Sequence, residues 1–166
     1  FAKGNSHGKI DNDKIDTIAR EALAPFERAG HENPYQVQHD LQEIMQHSVG
    51  IVRNENEMKP VLERLKEFRD RANGVRVIGN REFNPGWHTA LDLKNLLTVS
   101  EAITRAALER KESRGAQFRG DYPNRDDALG KVNTIVSKAA DGSMQVQLEP
   151  IPEMPDYLKQ VIEENA

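Results

Sequence analysis

The sequence predicts a mainly α fold: an antiparallel three- to four-helix bundle with a small C-terminal β-hairpin. Three observations carry this. Apolar residues recur at helical spacing in four long segments, which gives each an apolar face. Gly, Pro and Asn cluster between those segments, where a helix has to stop. Near the C-terminus the period shortens to two on either side of Asp141-Gly142, the pattern of a hairpin.

Residues 1–11 read as a flexible lead-in of Gly, Ser, Asn and charge. Ile15, Ile18, Ala19, Ala22, Phe26 and Ala29 then mark a first helix, with Asp11 or Asn12 as its cap and Gly30 as its end. Pro25 lies inside this run and should kink or shorten it. Asn33-Pro34 opens a second helix with the stripe Val37, Leu41, Ile44, Met45, Ser48 and Val52. A third begins near Asn54, with Pro60 in its first turn. It presents Met58, Val61, Leu62, Leu65, Phe68 and Ala72 and stops at Asn73-Gly74. Residues 75–87 are a long connection rich in turn residues, anchored by Trp87. The longest helix spans His88 to Glu112, and its wide apolar arc, including Val99 and Ile103, predicts neighbours on more than one side. After an irregular loop at 113–130, Val132, Thr134 and Val136 alternate with polar residues, as do Met144, Val146 and Leu148. The helical domain with its hairpin, at 131–149, thus covers 12–149. A Pro-rich link and short tail helix occupy 150–166.

Composition excludes several classes. The 166 residues carry a net charge of −4 and no cysteine, so disulfide scaffolds, Cys-ligated zinc, iron–sulfur clusters and thiol nucleophiles are ruled out. The mean hydropathy is −0.74, and no apolar run approaches the roughly 18 residues of a membrane span. A general nucleic-acid surface would need a basic balance that this chain lacks. The chain starts at Phe1 without a signal-peptide core, and the expectation is an excised or processed piece of a longer polypeptide.

The candidate chemistry is sparse. Gly4 to Ile10 superficially resembles a phosphate loop, but it is one residue short, and Ile10 stands where a hydroxyl would hold magnesium. His39, Glu43 and His47 share one helix face without the spacing of a zinc hydrolase, and a solvated surface is the expectation. Asp126-Asp127, with Asp121 nearby, is a carboxylate group flanked by Arg119 and Arg125 and reads as an ion-paired loop. The segment 105–125 holds Arg105, Arg110, Arg114, Arg119 and Arg125, with acidic residues interleaved. Guanidinium forks suit carboxylates and carbonyls. Such a loop either binds an anion or a partner surface, or packs on itself through its own acids.

That loop also carries a resemblance. Glu112-Ser113-Arg114-Gly115-Ala116-Gln117-Phe118-Arg119-Gly120-Asp121-Tyr122-Pro123-Asn124-Arg125-Asp126-Asp127 resembles the E-S-R-G-A-H-x-R-x-D-(F/Y)-P-x-R-D-D signature of succinate dehydrogenase and fumarate reductase flavoproteins, in their C-terminal domain. Phe83 to Trp87, Asn95 to Ala102 and Arg110-Lys111 are similar to the same family, and L-aspartate oxidases share a related form. Gln117 stands where the family usually has His, and Gly130-Lys131-Val132-Asn133 replaces its usual Trp-led entry into the hairpin.

The resemblance implies a spectrin-repeat-like helical bundle packed on an FAD-binding domain. The parent would interconvert succinate and fumarate and pass electrons to an iron–sulfur subunit. Its FAD and catalytic groups would lie in upstream FAD-binding and capping domains, since this chain lacks a G-x-G-x-x-G fingerprint after a strand. No catalytic, cofactor or metal residue is assigned here, and the piece alone is expected to be inactive. The resemblance further implies a cytoplasmic parent, peripheral on the inner face of the membrane, with no direct membrane insertion and no nucleic-acid partner. The candidate domain-docking residues are Glu112, Arg114, Gln117, Arg119, Asp121 and Arg125. Replacing Arg114 and Arg119 by Ala is expected to weaken docking and leave helicity intact. A free-standing interaction module and the C-terminal domain of an L-aspartate oxidase are the alternatives.

Overall fold

The computed structural model describes residues 3, 4, 8 and 11–165. The lead-in and the phosphate-loop-like run rest on Phe1, Asn5, Ser6, His7, Lys9 and Ile10, which lie outside the described residues. The elements are α1 (Asn12–Glu27), α2 (Pro34–Val49), β1 (Val52–Arg53), α3 (Glu55–Asn73), α4 (Pro85–Glu109), β2 (Phe118–Arg119), β3 (Val132–Lys138), β4 (Met144–Pro150) and α5 (Asp156–Glu164), with a 3-10 turn at Leu129–Lys131. The chain is mainly α with a small antiparallel hairpin. It divides into two compact units, Phe1–Glu43 with Leu65–Thr98, and Ile44–Arg64 with Val99–Ala166.

In the first unit, Asp11 caps α1 by accepting the Lys14 N–H at 3.2 Å. Pro25 is buried within the last turn, and α1 stops at Glu27, earlier than Gly30. The Pro25 carbonyl leaves the helical pattern and accepts Val77 N–H at 2.8 Å. Asn33 starts α2: its side chain accepts Tyr35 N–H at 2.9 Å, with Pro34 in the first helical position. Near the other end of α3, Arg71 bonds Asp40 at 2.8 Å and holds Glu32 through a two-pronged pair of 2.9 and 3.1 Å. The end of α3 therefore lies beside the start of α2, as two antiparallel helices require. Val37, Leu41, Leu65, Phe68, Val75, Val77, Leu93 and Leu97 form the core. Gly30 has no room for a side chain, because a Cβ there would fall on the Gly74 carbonyl.

Trp87 is an anchor, as expected, but it lies in α4 and not in the connection. Asn84 accepts its N–H at 3.2 Å and acts as the cap, so Pro85 takes the first helical position. The expected start at His88 is thereby moved back one turn. The Trp87 indole donates to the Ala22 carbonyl of α1 at 2.7 Å and lies against Phe26, ring centroids 5.6 Å apart.

In the second unit, Val49, Met58, Val61 and Ala107 are buried with Thr104, whose hydroxyl returns to the Ser100 carbonyl at 2.8 Å. The buried line of α4 is Leu93, Leu97, Ser100, Thr104 and Ala107. Val99 and Ile103 are largely exposed, contrary to expectation. A 3.6-residue stripe through Leu93 passes through Ser100 and Thr104, so two small polar residues occupy core positions. Val52 leaves the α2 stripe to form β1, and Pro60 falls in the second turn of α3. In the hairpin, Val132 pairs with Pro150 and Lys138 with Met144. Gly142 takes φ 87°, and the Asp141 carboxylate accepts both Ser143 N–H and its hydroxyl.

Candidate functional site

The arginine-rich loop begins where α4 ends, at Glu109, because a cation closes that end. Arg119 is fully buried, and its Nη1 donates to the carbonyls of Ala107 at 2.7 Å, Arg110 at 3.2 Å and Leu108 at 3.4 Å. Helix C-terminal carbonyls lack partners of their own and attract positive charge. The helix therefore stops short of Glu112, the expected boundary, and residues 110–112 become part of the site.

The other edge of Arg119 meets Asp121 through two bonds of 2.8 Å, and its guanidinium carbon lies 5.0 Å from the Tyr122 ring centroid. Asp121 also accepts Glu55 N–H at 3.0 Å, which caps the start of α3. The Arg119 fork and the Glu55 N–H together hold the Asp121 carboxyl well below the usual range.

Glu112 is likewise fully buried. Its carboxylate takes four contacts: Arg114 Nε at 2.8 Å and Nη2 at 3.0 Å, Arg110 Nη2 at 2.7 Å, and Asp126 N–H at 2.8 Å. These donors, the Arg114 fork foremost, pull its pKa down to about 2. Arg110 also reaches the Leu129 carbonyl at 2.8 Å and so ties the hairpin entrance to the end of α4. Gly130 permits the Arg114 placement, since a Cβ there would come 2.7 Å from its Nη2.

Gln117 uses both ends of its amide. Its oxygen accepts from Arg53 Nη1 at 2.7 Å, and its nitrogen donates to the carbonyls of Arg110 at 3.0 Å and Glu112 at 3.1 Å. Arg53 comes from the α2–α3 link, where β1 pairs in parallel with β2 as Val52 to Phe118 and Arg53 to Arg119. Arg125 is exposed and joins none of these bonds. Five of the six candidate residues thus build one network, and Arg125 stands outside it. Sequence reasoning missed Arg53 and Glu55. Their partners lie more than sixty positions away, and no local pattern announces such a pairing.

Elsewhere, His39, Glu43 and His47 are exposed, and among the described residues no group of three or more possible ligands is placed to hold a metal.

The family described as fumarate reductase flavoprotein C-term matches residues 38–159, most of the chain. This chain belongs to that family. It is the C-terminal domain of the succinate dehydrogenase and fumarate reductase flavoprotein subunit. It is 38% identical over 132 residues to the succinate dehydrogenase flavoprotein subunit of Coxiella burnetii, covering 78% of this chain and 22% of that protein. The fumarate reductase flavoprotein subunit of Haemophilus influenzae is 29% identical over 152 residues, 90% of this chain and 25% of that protein. The chain therefore spans about a quarter of the length of these relatives. Its fold superposes on Mycobacterium smegmatis Sdh1, solved in complex with UQ1, with a TM-score of 0.81 and 38% identity, over 94% of this chain and 27% of that one.

The flavoprotein relatives raise the question of whether this domain fits FAD. A dinucleotide cradle needs a strand that leads through a Gly-rich turn into a helix. Among the described residues the one parallel pair of named strands is the two-residue β1–β2, beside an isolated parallel bridge of Glu32 with Val75, and Asn54 alone separates β1 from α3. No strand–turn–helix cradle of that kind occurs among the described residues. Within the family, this domain's departures are also accommodated internally: Gln117 makes three bonds, and Gly130 leaves room for Arg114.

Proposed function

We propose that this domain is the packing partner of the flavin-binding part of a flavoprotein subunit, with loop 112–127 as the surface it presents. The subunit interconverts succinate and fumarate with FAD held by its FAD-binding and capping domains, and it passes electrons to an iron–sulfur subunit. The observation that carries this reading is the closed network around Glu112 and Arg119. Buried charges there are spent on fixing the loop's own shape, which is what a preformed contact surface needs. Glu112, Arg114, Gln117, Arg119 and Asp121 shape the loop, and Arg125 faces outward. The assembly lies on the inner face of the cytoplasmic membrane. Among the described residues no helix is long and apolar enough to cross a membrane, which is compatible with a peripheral position.

The test compares the 166-residue chain with the flavoprotein subunit that carries it. The chain alone is expected to be colourless and without succinate turnover, and the subunit to hold FAD and turn over. A purified chain that retains one FAD and oxidises succinate overturns the proposal.

A further inference from the structure

The β1–β2 pair places three apolar side chains at the surface of the loop. Ile51, Val52 and Phe118 are 67%, 59% and 45% exposed. Val52 and Phe118 are register partners, and paired residues of neighbouring strands share one face of a sheet. The Ile51 carbonyl accepts Phe118 N–H at 3.0 Å, which holds the third residue alongside. The next pair, Arg53 and Arg119, alternates to the opposite side, and Arg119 is fully buried there. Strand alternation thus separates an inner polar layer from an outer apolar one.

We propose that the Ile51–Val52–Phe118 ridge is the apolar centre of the surface that packs on the flavin-binding part of the flavoprotein subunit. This rests on the packing role proposed above and identifies the contact that serves it. The polar groups beneath the ridge are already engaged: Arg53 with the Val49 and Gly50 carbonyls and with Gln117, and Arg119 with Asp121 and the end of α4. What this face offers outward is therefore apolar contact, the usual content of an interface centre. The occupant follows from size and continuity. Phe118 belongs to loop 112–127 itself, and about three quarters of the relatives' length lies outside the matched region. Three side chains are too little for a stable dimer, which needs roughly 800 Å² from each partner. They suit the centre of a larger contact within one subunit.

The chain has no cysteine, so Val52→Cys and Phe118→Cys each introduce a single thiol. Maleimide labelling is followed peptide by peptide in the isolated chain, in the whole subunit loaded with FAD, and in denaturant. Both thiols are expected to react in the isolated chain nearly as fast as in denaturant, and at least roughly tenfold slower in the whole subunit. Equal labelling in the FAD-loaded subunit overturns the ridge while leaving the packing role standing. Slow labelling in the isolated chain, with a dimer mass by light scattering, assigns the ridge to a second copy and overturns it too. A subunit that binds no FAD overturns the reading on which the proposal rests. As a second variant, Val52→Ser with Phe118→Ser is expected to leave the isolated chain's unfolding midpoint unchanged and to lower that of the whole subunit.

Discussion

Arg119 and Asp121 form a two-pronged ion pair, both bonds 2.8 Å, and each partner also holds the end of a helix. Arg119 takes the carbonyls at the end of α4, and Asp121 takes the N–H at the start of α3. A cation at a helix C-terminus and an anion at an N-terminus both complement the helix dipole. One pair therefore couples two helix ends of opposite polarity.

Removing Arg119 leaves the carbonyls at the end of α4 without their buried donor, while Asp121, which is exposed, can turn to water. Arg119→Met is expected to cost about 1–3 kcal/mol, the usual penalty for buried acceptors left unmet. Arg119→Lys keeps the charge but loses the fork, and it should fall between the two. Urea unfolding followed by circular dichroism measures both. The earlier expectation that alanine at this position spares helicity gives way here, because the side chain is fully buried and closes α4.

Glu112 sets an acid limit on stability. Its folded pKa, about 2, lies below the ordinary 4.5. A depressed folded pKa contributes stability that is complete above the unfolded value and lost as pH falls through the folded one. The thermal midpoint is therefore expected to drop between pH 4.5 and 2, with Asp121 acting in the same direction. Glu112→Gln should be less stable at neutral pH and show a shallower acid slope, read from thermal melts across that range.

Two glycines separate a rigid obstacle from a movable one. At Gly30 a Cβ meets the Gly74 backbone carbonyl, whereas at Gly120 it meets the Asn54 side-chain oxygen at 2.5 Å. Backbone does not yield cheaply and a side-chain end does. Gly30→Ala is expected to lose about 1–3 kcal/mol, the usual cost of overpacking, and Gly120→Ala clearly less. Chemical denaturation of the two variants side by side checks the order.

Trp87→Phe keeps the ring against Phe26 but removes the indole's bond to the Ala22 carbonyl, which retains its helical partner within α1. The expected loss is about 0.5–1.5 kcal/mol, the net worth of one hydrogen bond. Circular dichroism melts measure it.

Helix existence was legible because it depends on local periodicity. Val37, Leu41, Met58, Val61, Leu65, Phe68, Leu93 and Leu97 all proved to be core. Boundary signals worked where the residue itself limits the backbone, as at the Asn33-Pro34 start of α2 and the Asn73-Gly74 end of α3. They failed at the two ends of α4. Asn84-Pro85 reads equally as a turn or as a cap with its first helical proline. At the other end the terminator is Arg119, ten residues beyond the last helical turn. Val52 shows the same limit, since a partner strand sixty-six residues away takes it out of the helical stripe.

What the sequence determined by itself was the family, from the sixteen-residue run at 112–127, and the mainly α class, from apolar spacing. Both are properties of neighbours in the chain. Only the tertiary structure decided what the arginines do. Whether a guanidinium faces solvent or is consumed depends on which carbonyls and carboxylates the fold brings within 3 Å. For Arg119 those are Ala107 and Asp121, and for Glu112 they are Arg110, Arg114 and Asp126 N–H. Of the two readings the charge pattern allowed, the fold shows the loop's arginines and carboxylates closed on one another, and strand pairing turns Val52 and Phe118 to the side opposite the buried Arg119.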